Sequence, residues 1–266
     1  MKYKSIVGIG VIIILAGILF FALGINPEQG GSPGANNEAE SPDEDLEDLR
    51  EIMNRQAEEY PETFFVNGPE TANRVALTFD DGPDPLNTPR ILDVLAEKNV
   101  RATFFLLGEN VERFPEIAQR ILNEGHQIGN HSWSHPNFRD MDDQEVLNEE
   151  IYPTSDKIAE ITGHYPTLLR PPFGAINNST IESLQDQGWK IANWSMDSYD
   201  WHISQDDPDE IINRIQRIQH PGGIVLLHDG IVNRVTAEAL PGIIDMLREE
   251  GYEFNTLNEL LAEYMN

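Results

Sequence analysis

From residue 74 onward the chain alternates short apolar runs with stretches of helical period, and this alternation narrows the fold to one built from βα units. Residues 75–79 read as a strand. Thr88 and Pro89 then offer an N-cap and a proline at the first helical position, opening a helix to residue 98. A strand at 102–107, a helix at 115–123 closed by Gly125, and a short strand at 127–129 follow. Asp142 with Glu145 forms a capping box for a helix expected to yield near Pro153, with another helix at 155–162. The rest reads as strand 167–169, helix 180–187, strand 189–194, a helix from Asp207-Pro208 to 218, strand 224–227, helix 236–250, strand 252–254 and helix 257–264.

The unusual residues all fall where these strands end. TFDDGP follows the first strand, NHSWSH the third, RPPFG the strand at 167–169, DSYDWH that at 189–194, and HDG that at 224–227. A (β/α) barrel gathers such ends on one face, whereas an open doubly wound sheet would collect only those near its switch point. A chain of 266 residues accommodates one such barrel of about 200–250 residues.

The N-terminal part has a different character. Behind Lys2 and Lys4, residues 6–25 carry no charge and, as a helix, would span about 30 Å, the hydrocarbon thickness of a bilayer. Lysines before the run and acids after it orient the N-terminus to the cytoplasm and the remainder outside. A retained membrane anchor over residues 1–25 is the expectation; a cleaved signal peptide, giving a secreted protein, is the rival, although the run is long and the cleavage site poor. Residues 26–41, rich in Gly, Pro, Asn and Glu, read as a flexible acidic linker. Residues 42–60 form an amphipathic helix, with Leu46, Leu49, Met53 and Ala57 on one stripe, expected to dock on the domain at 61–266.

Charge and cysteine content limit the chemistry. With 46 acidic against 18 basic side chains the net charge is −28, which repels phosphate backbones and excludes sequence-independent nucleic-acid binding. There is no cysteine, so thiolate nucleophiles, disulfides and Cys-ligated zinc are excluded and any metal must sit on His and carboxylate. Taken singly, each motif has a plain structural explanation: Asp80-Asp81 before Gly82-Pro83 as a solvated turn, His131 and His135 as coincidence, Arg170 before Pro171-Pro172 as packing. Taken together their chemistry is complementary. Two imidazoles and one carboxylate make a three-ligand metal site with a position left for water, and a second aspartate can serve as a base beside that water.

In this order, TFDDGP, HSWSH, RPPFG, DSYDW and LLHDG resemble the five motifs of the polysaccharide deacetylases, the NodB-homology domain of carbohydrate esterase family 4, over residues 70–262. The resemblance implies a distorted, incomplete (β/α) barrel and metal-dependent removal of acetyl groups from sugars. It implies Asp81, His131 and His135 as metal ligands, Asp80 as catalytic base, Arg170 as its partner, His228 as general acid and Asp200 as the carboxylate orienting that histidine. Trp201 and Leu226 resemble the walls of the acetyl pocket. Phe173 stands where many members carry tyrosine; a backbone N–H acting as oxyanion donor survives that change, a role for the phenol does not. Zinc is the expected metal, with cobalt or another divalent ion as alternatives.

The expected activity is deacetylation of N-acetylglucosamine residues in a cell-wall polysaccharide, foremost peptidoglycan, by a monomer held at the membrane. Deacetylation of chitin oligomers or acetylxylan is the alternative within the family. A silent glycan-binding module and a glycoside hydrolase using the paired aspartates are the alternatives from other classes.

Overall fold

The computed structural model describes residues 42–71, 73–202, 206–230 and 234–264. The apolar run at 6–25 and the linker at 26–41 lie outside the described residues. Among the described residues no helix is long and apolar enough to cross a membrane.

The chain opens with helix α1 (Pro42–Glu59) and strand β1 (Phe64–Phe65), then β2 (Arg74–Gly82), α2 (Asn87–Lys98), β3 (Thr103–Leu106), α3 (Gly108–Arg113), α4 (Pro115–Asn123) and β4 (Gln127–Asn130). A long helical segment follows, made of α5 (Asp143–Glu145), a π-helical stretch at Val146–Ile151 and α6 (Tyr152–Thr162). Then come β5 (Leu168–Leu169), α7 (Asn178–Gln185), β6 (Lys190–Ala192), β7 (Met196–Asp197), α8 (Pro208–Ile218), β8 (Ile224–His228), α9 (Arg234–Glu249), β9 (Glu253–Phe254) and α10 (Leu257–Leu260). The strands pair in parallel in the order β1-β6-β5-β4-β3-β2-β8-β7, with β9 added beside the start of β2. The end strands β1 and β7 are not paired with each other, so the sheet is a curled half-barrel.

Strand periodicity sorts the side chains into two layers. Val75, Leu77 and Phe79 of β2 join Phe104, Leu106, Val225 and Leu227 in a core shared with Ile91, Ile121, Ile215 and Ile243 of the surrounding helices. Ala76, Phe105, Ile224 and Leu226 belong to the second cluster, enclosed by the curl. By the same alternation Thr78 and Asp80 of β2, and His228 of β8, project with this inner set. Leu49, Met53 and Ala57 of α1 pack on the inner cluster as well, with Met53 fully buried.

Three local expectations need correction. Thr88 is not a helix cap: α2 begins at Asn87, and the Thr88 hydroxyl is committed to the Asp229 carboxylate and the Asp84 N–H. The helix at 143–162 does not yield at Pro153. Proline lacks the N–H and clashes with the carbonyl of the preceding turn, and the widened turn just before it absorbs both. Finally, two strands beyond the expected set, β1 and β7, join the sheet through pairing with β6 and β8.

Candidate active site

Strand β2 explains why two aspartates stand side by side. β2 runs through Gly82, and its pairing with β3 shifts register between Asp80 and Gly82. Asp81 sits at that irregularity with φ 74°, a left-handed conformation uncommon for a side chain with a Cβ. The two carboxylates therefore diverge. Asp80 stays on the inner face of the sheet, and Asp81 turns toward the loop after β4.

That loop carries His131 and His135, with Ser132 and His135 at φ 82° and 65°. Buried and half-buried hydrogen bonds hold its shape. Asn130 Oδ1 accepts from the Ser132 N–H at 2.8 Å, and Glu150 accepts from the Trp133 and Ser134 N–H groups, each at 2.8 Å. Glu150 belongs to the π-helical stretch. Asp81 Oδ1 lies 3.4 Å from His131 Nε2 and 3.3 Å from His135 Nε2.

This trio fits a divalent cation. His131 Nδ1–H donates to the Arg170 carbonyl at 2.8 Å, which assigns the tautomer and leaves the Nε2 lone pair facing Asp81. Asp81 Oδ1 is buried without a hydrogen-bond partner. A lone pair and a carboxylate oxygen facing each other call for a positive charge between them. Burial lowers the pKa of His135 to about 4, with His131 beside it adding to the effect, so its imidazole is neutral and free to ligate at neutral pH. Burial raises the pKa of Asp81, but its contact with His131 and the nearby His228 outweigh this and hold the carboxyl below the usual range. Among the described residues this is the one His/Asp/Glu trio with ligating atoms within 4.8 Å of one another.

Beside it stand two ion-paired groups. Arg170, fully buried, donates Nη1 to Asp80 Oδ1 at 2.7 Å and to Thr78 Oγ1 at 2.8 Å, Nε to the Ala192 carbonyl at 2.9 Å and Nη2 to the Asn193 carbonyl at 3.0 Å. Its guanidinium also lies over the Phe105 ring, 4.2 Å from the centroid. Asp80 and His228 are register partners across β2 and β8. His228 Nδ1 is 2.7 Å from Asp200 Oδ1, while Asp200 Oδ2 accepts from the His228 N–H at 2.9 Å and the Thr236 hydroxyl at 2.5 Å. Burial alone would lower the His228 pKa; the Asp200 carboxylate, aided by Asp81 and Asp80, raises it to about 10.

The remaining anticipated residues surround this group unevenly. Phe173 has φ 59°, is 57% exposed, and packs edge-on against His135 with ring centroids 4.6 Å apart. Trp201 is 40% exposed and anchored by Nε1–H donation to Asp197 Oδ1 at 3.2 Å. Leu226 is buried beside Asp197 in the β7–β8 pairing. A cavity of about 370 Å³ opens over Asp81 and His135 and reaches Asn110, Arg113 and Phe114.

The polysaccharide deacetylase family model matches residues 67–192. The chain is 43% identical over 194 residues to the peptidoglycan-N-acetylglucosamine deacetylase of Bacillus cereus, covering 72% of this chain and 69% of that protein. The chain belongs to the polysaccharide deacetylase family. Another member, the peptidoglycan-N-acetylglucosamine deacetylase PgdA of Listeria monocytogenes, is 41% identical over 194 residues, covering 73% of this chain but only 40% of that protein's length. The peptidoglycan-N-acetylmuramic acid deacetylase PdaC of Bacillus subtilis is 39% identical over 186 residues, with 70% and 38% covered. The crystal structure of the Bc1960 peptidoglycan N-acetylglucosamine deacetylase superposes with a TM-score of 0.72 at 41% identity, covering 74% of this chain and 92% of that one.

Within this polysaccharide deacetylase domain several supporting residues were not singled out from sequence. Thr78, Asn130, Glu150, Asp197, Thr236 and Asp229 all bond to the site residues or to the loops that carry them. Asp229 is fully buried; its N–H donates to the Asp80 carbonyl at 3.0 Å, and its carboxyl meets Thr88 at 2.5 Å. Burial raises its pKa to about 8. Thr78, Asn130, Asp197 and Asp229 lie inside quoted motifs, which is the signal the sequence offers. Glu150 and Thr236 have partners too distant in sequence to be read from spacing.

Proposed function

We propose that this chain hydrolyses the N-acetyl group of N-acetylglucosamine residues in peptidoglycan, releasing acetate and leaving a free amine on the sugar. One juxtaposition carries the reading: a carboxylate held by Arg170 and an imidazole held by Asp200 stand as register partners across β2 and β8, with the Asp81–His131–His135 trio beside them.

Asp81, His131 and His135 would hold the metal, with zinc favoured by two imidazoles and one carboxylate and cobalt an alternative; when bound, it acidifies water and polarises an acetamide carbonyl. Asp80 is the base that takes the proton of the attacking water. Its second oxygen is free for this because Arg170 engages the first. Arg170 and Thr78 fix the direction of that carboxylate. His228, kept protonated at neutral pH by Asp200, gives its Nε2 proton to the departing nitrogen as the carbon–nitrogen bond breaks and the carbon–oxygen bond to water is complete. The Phe173 N–H is the backbone donor to the developing oxyanion, and Trp201 and Leu226 wall the acetyl group. The change from tyrosine to Phe173 leaves that backbone donor in place.

The apolar run at 6–25, preceded by Lys2 and Lys4, is the anchor that would hold the domain outside the membrane, and the linker at 26–41 gives it a root-mean-square reach of about 20–25 Å. A tethered enzyme in that position meets wall glycan first. The direct test treats isolated wall with the metal-loaded protein, measures acetate, and locates free amines by mass spectrometry after digestion. Amines on glucosamine are expected. Amines confined to muramic acid, or release of acetate from acetylxylan with none from the wall, would reject the choice of substrate.

A further inference from the structure

A second cavity, of about 430 Å³, lies not over the catalytic groups but between α1 and the segments at 138–140 and 176–178. Two arginines line it, Arg55 from α1 and Arg139 from the loop four residues beyond His135. Neither guanidinium has an ion pair or hydrogen bond among the described residues, although acids outnumber bases 46 to 18. By contrast Arg74, Arg90, Arg101 and Arg120 each meet a carboxylate. Glu59 also lines the cavity, but its carboxylate accepts from Asn178 Nδ2 at 2.9 Å and from the Tyr60 hydroxyl at 3.4 Å.

A second observation points to a ligand. Gln56, only 5% exposed, lines the same cavity and leaves its Oε1 without a partner, while its Nε2 is spent on the Ile176 carbonyl at 2.9 Å and Asn178 Oδ1 at 3.1 Å. A buried acceptor without a donor costs stability unless something supplies one. Two free cations and one free acceptor match a ligand that carries a carboxylate together with a hydroxyl or amide N–H.

The cavity flanks the catalytic face through short connections. Phe173 packs against His135 at 4.6 Å, and the next residue, Gly174, approaches Met53 of α1 so closely that an added Cβ would lie 3.2 Å from its sulfur. Met53 is three residues before Gln56. Arg55 and Gln56 of helix α1 lie outside the stretch matched by the family model, 67–192, whereas Arg139 lies within it.

We infer that Arg55, Arg139 and Gln56 form a distal subsite that recognises a sugar-acid carboxylate on the glycan strand, namely the free lactyl carboxylate of a muramic acid residue that lacks its stem peptide and flanks the residue deacetylated. This deepens the peptidoglycan reading and rests on it. Guanidinium forks suit carboxylates, and they give an acidic protein a local attraction to an acidic polymer that its overall charge opposes.

The test measures binding separately from turnover. The full chain is titrated calorimetrically with a peptide-free tetrasaccharide of alternating N-acetylglucosamine and N-acetylmuramic acid, and with chitotetraose, which has no carboxylate. The wild type should bind the former about fivefold more tightly at low salt, and Arg55→Gln with Arg139→Gln should abolish that preference while leaving chitotetraose binding unchanged. Arg139→Lys, which keeps the charge but not the fork, should retain part of it. No preference in the wild type, or a preference that survives the double substitution, overturns the subsite. Acetate release from chitotetraose, followed alongside, reports on the deacetylase reading independently of either result.

Discussion

His228 and Asp200 are joined twice, by the ring Nδ1 at 2.7 Å from one carboxylate oxygen and by the backbone N–H at 2.9 Å from the other. The carboxylate therefore fixes both the rotation and the position of the imidazole and raises its pKa to about 10. A general acid works only while protonated, so activity should be lost as pH rises through that value. In Asp200→Asn the pKa should fall back toward 6.5 and the alkaline limb of kcat should move to lower pH with it. Imidazole NMR titration of metal-free protein and a pH–rate profile check the two halves. His228→Ala should slow acetamide hydrolysis by about 10²–10⁴-fold and aryl acetate hydrolysis much less, because a phenolate leaves without a proton.

Asp80 is tied to a guanidinium with no solvent access. Asp80→Asn retains an acceptor for Arg170 but removes the base, so turnover should vanish while about one equivalent of metal still binds. Asp80→Ala instead leaves a buried cation without its counter-charge and should cost about 3 kcal/mol of stability. Metal analysis, acetate release and urea unfolding of the two variants separate these effects. Loss of metal in Asp80→Asn would contradict the division of labour between the paired aspartates.

The trio makes the opposite claim. His131→Ala and His135→Ala should each lose metal and activity together, and added zinc should raise the melting temperature of the wild type but not of these variants, since a ligand that binds only the native state stabilises it. Full activity in either variant would remove that histidine from the site.

How far the sequence reveals this architecture depends on the range of each signal. Residues 75–79 and 224–227 are legible because a buried parallel strand needs continuous apolar side chains, and the odd residues at their ends mark the catalytic face. The divergence of Asp80 and Asp81 was also readable as a need, but its means was not: the register shift and the φ of 74° at Asp81 depend on β3 alongside. Thr88 shows the limit of local rules. Its place before Pro89 fits a cap, yet its hydroxyl is claimed by Asp229, 141 residues away. Glu150 is hidden for a similar reason, since only the folded π-helical stretch brings it beneath Trp133 and Ser134.

His126 gives a prediction about stability away from the catalytic face. It is buried, its Nδ1 accepts from the Ala102 N–H at 3.1 Å, and its ring packs edge-on against Phe104. Accepting at Nδ1 requires a neutral ring, and burial lowers its pKa from 6.5 to about 4. The sign follows from linkage: the unfolded chain binds this proton more readily than the folded one, so the stabilisation is fully present above pH 6.5 and is lost as pH falls toward 4. The loss from this one group should reach about 3 kcal/mol, taking 1.36 kcal/mol per pKa unit. His126→Asn keeps a side-chain acceptor but cannot titrate, so its stability should be lower than wild type at pH 7.5 and decline less between pH 6.5 and 4. Urea unfolding at a series of pH values measures this directly, and identical pH slopes for the two proteins would show that His126 is already protonated in the folded state or that another group controls the acid limb.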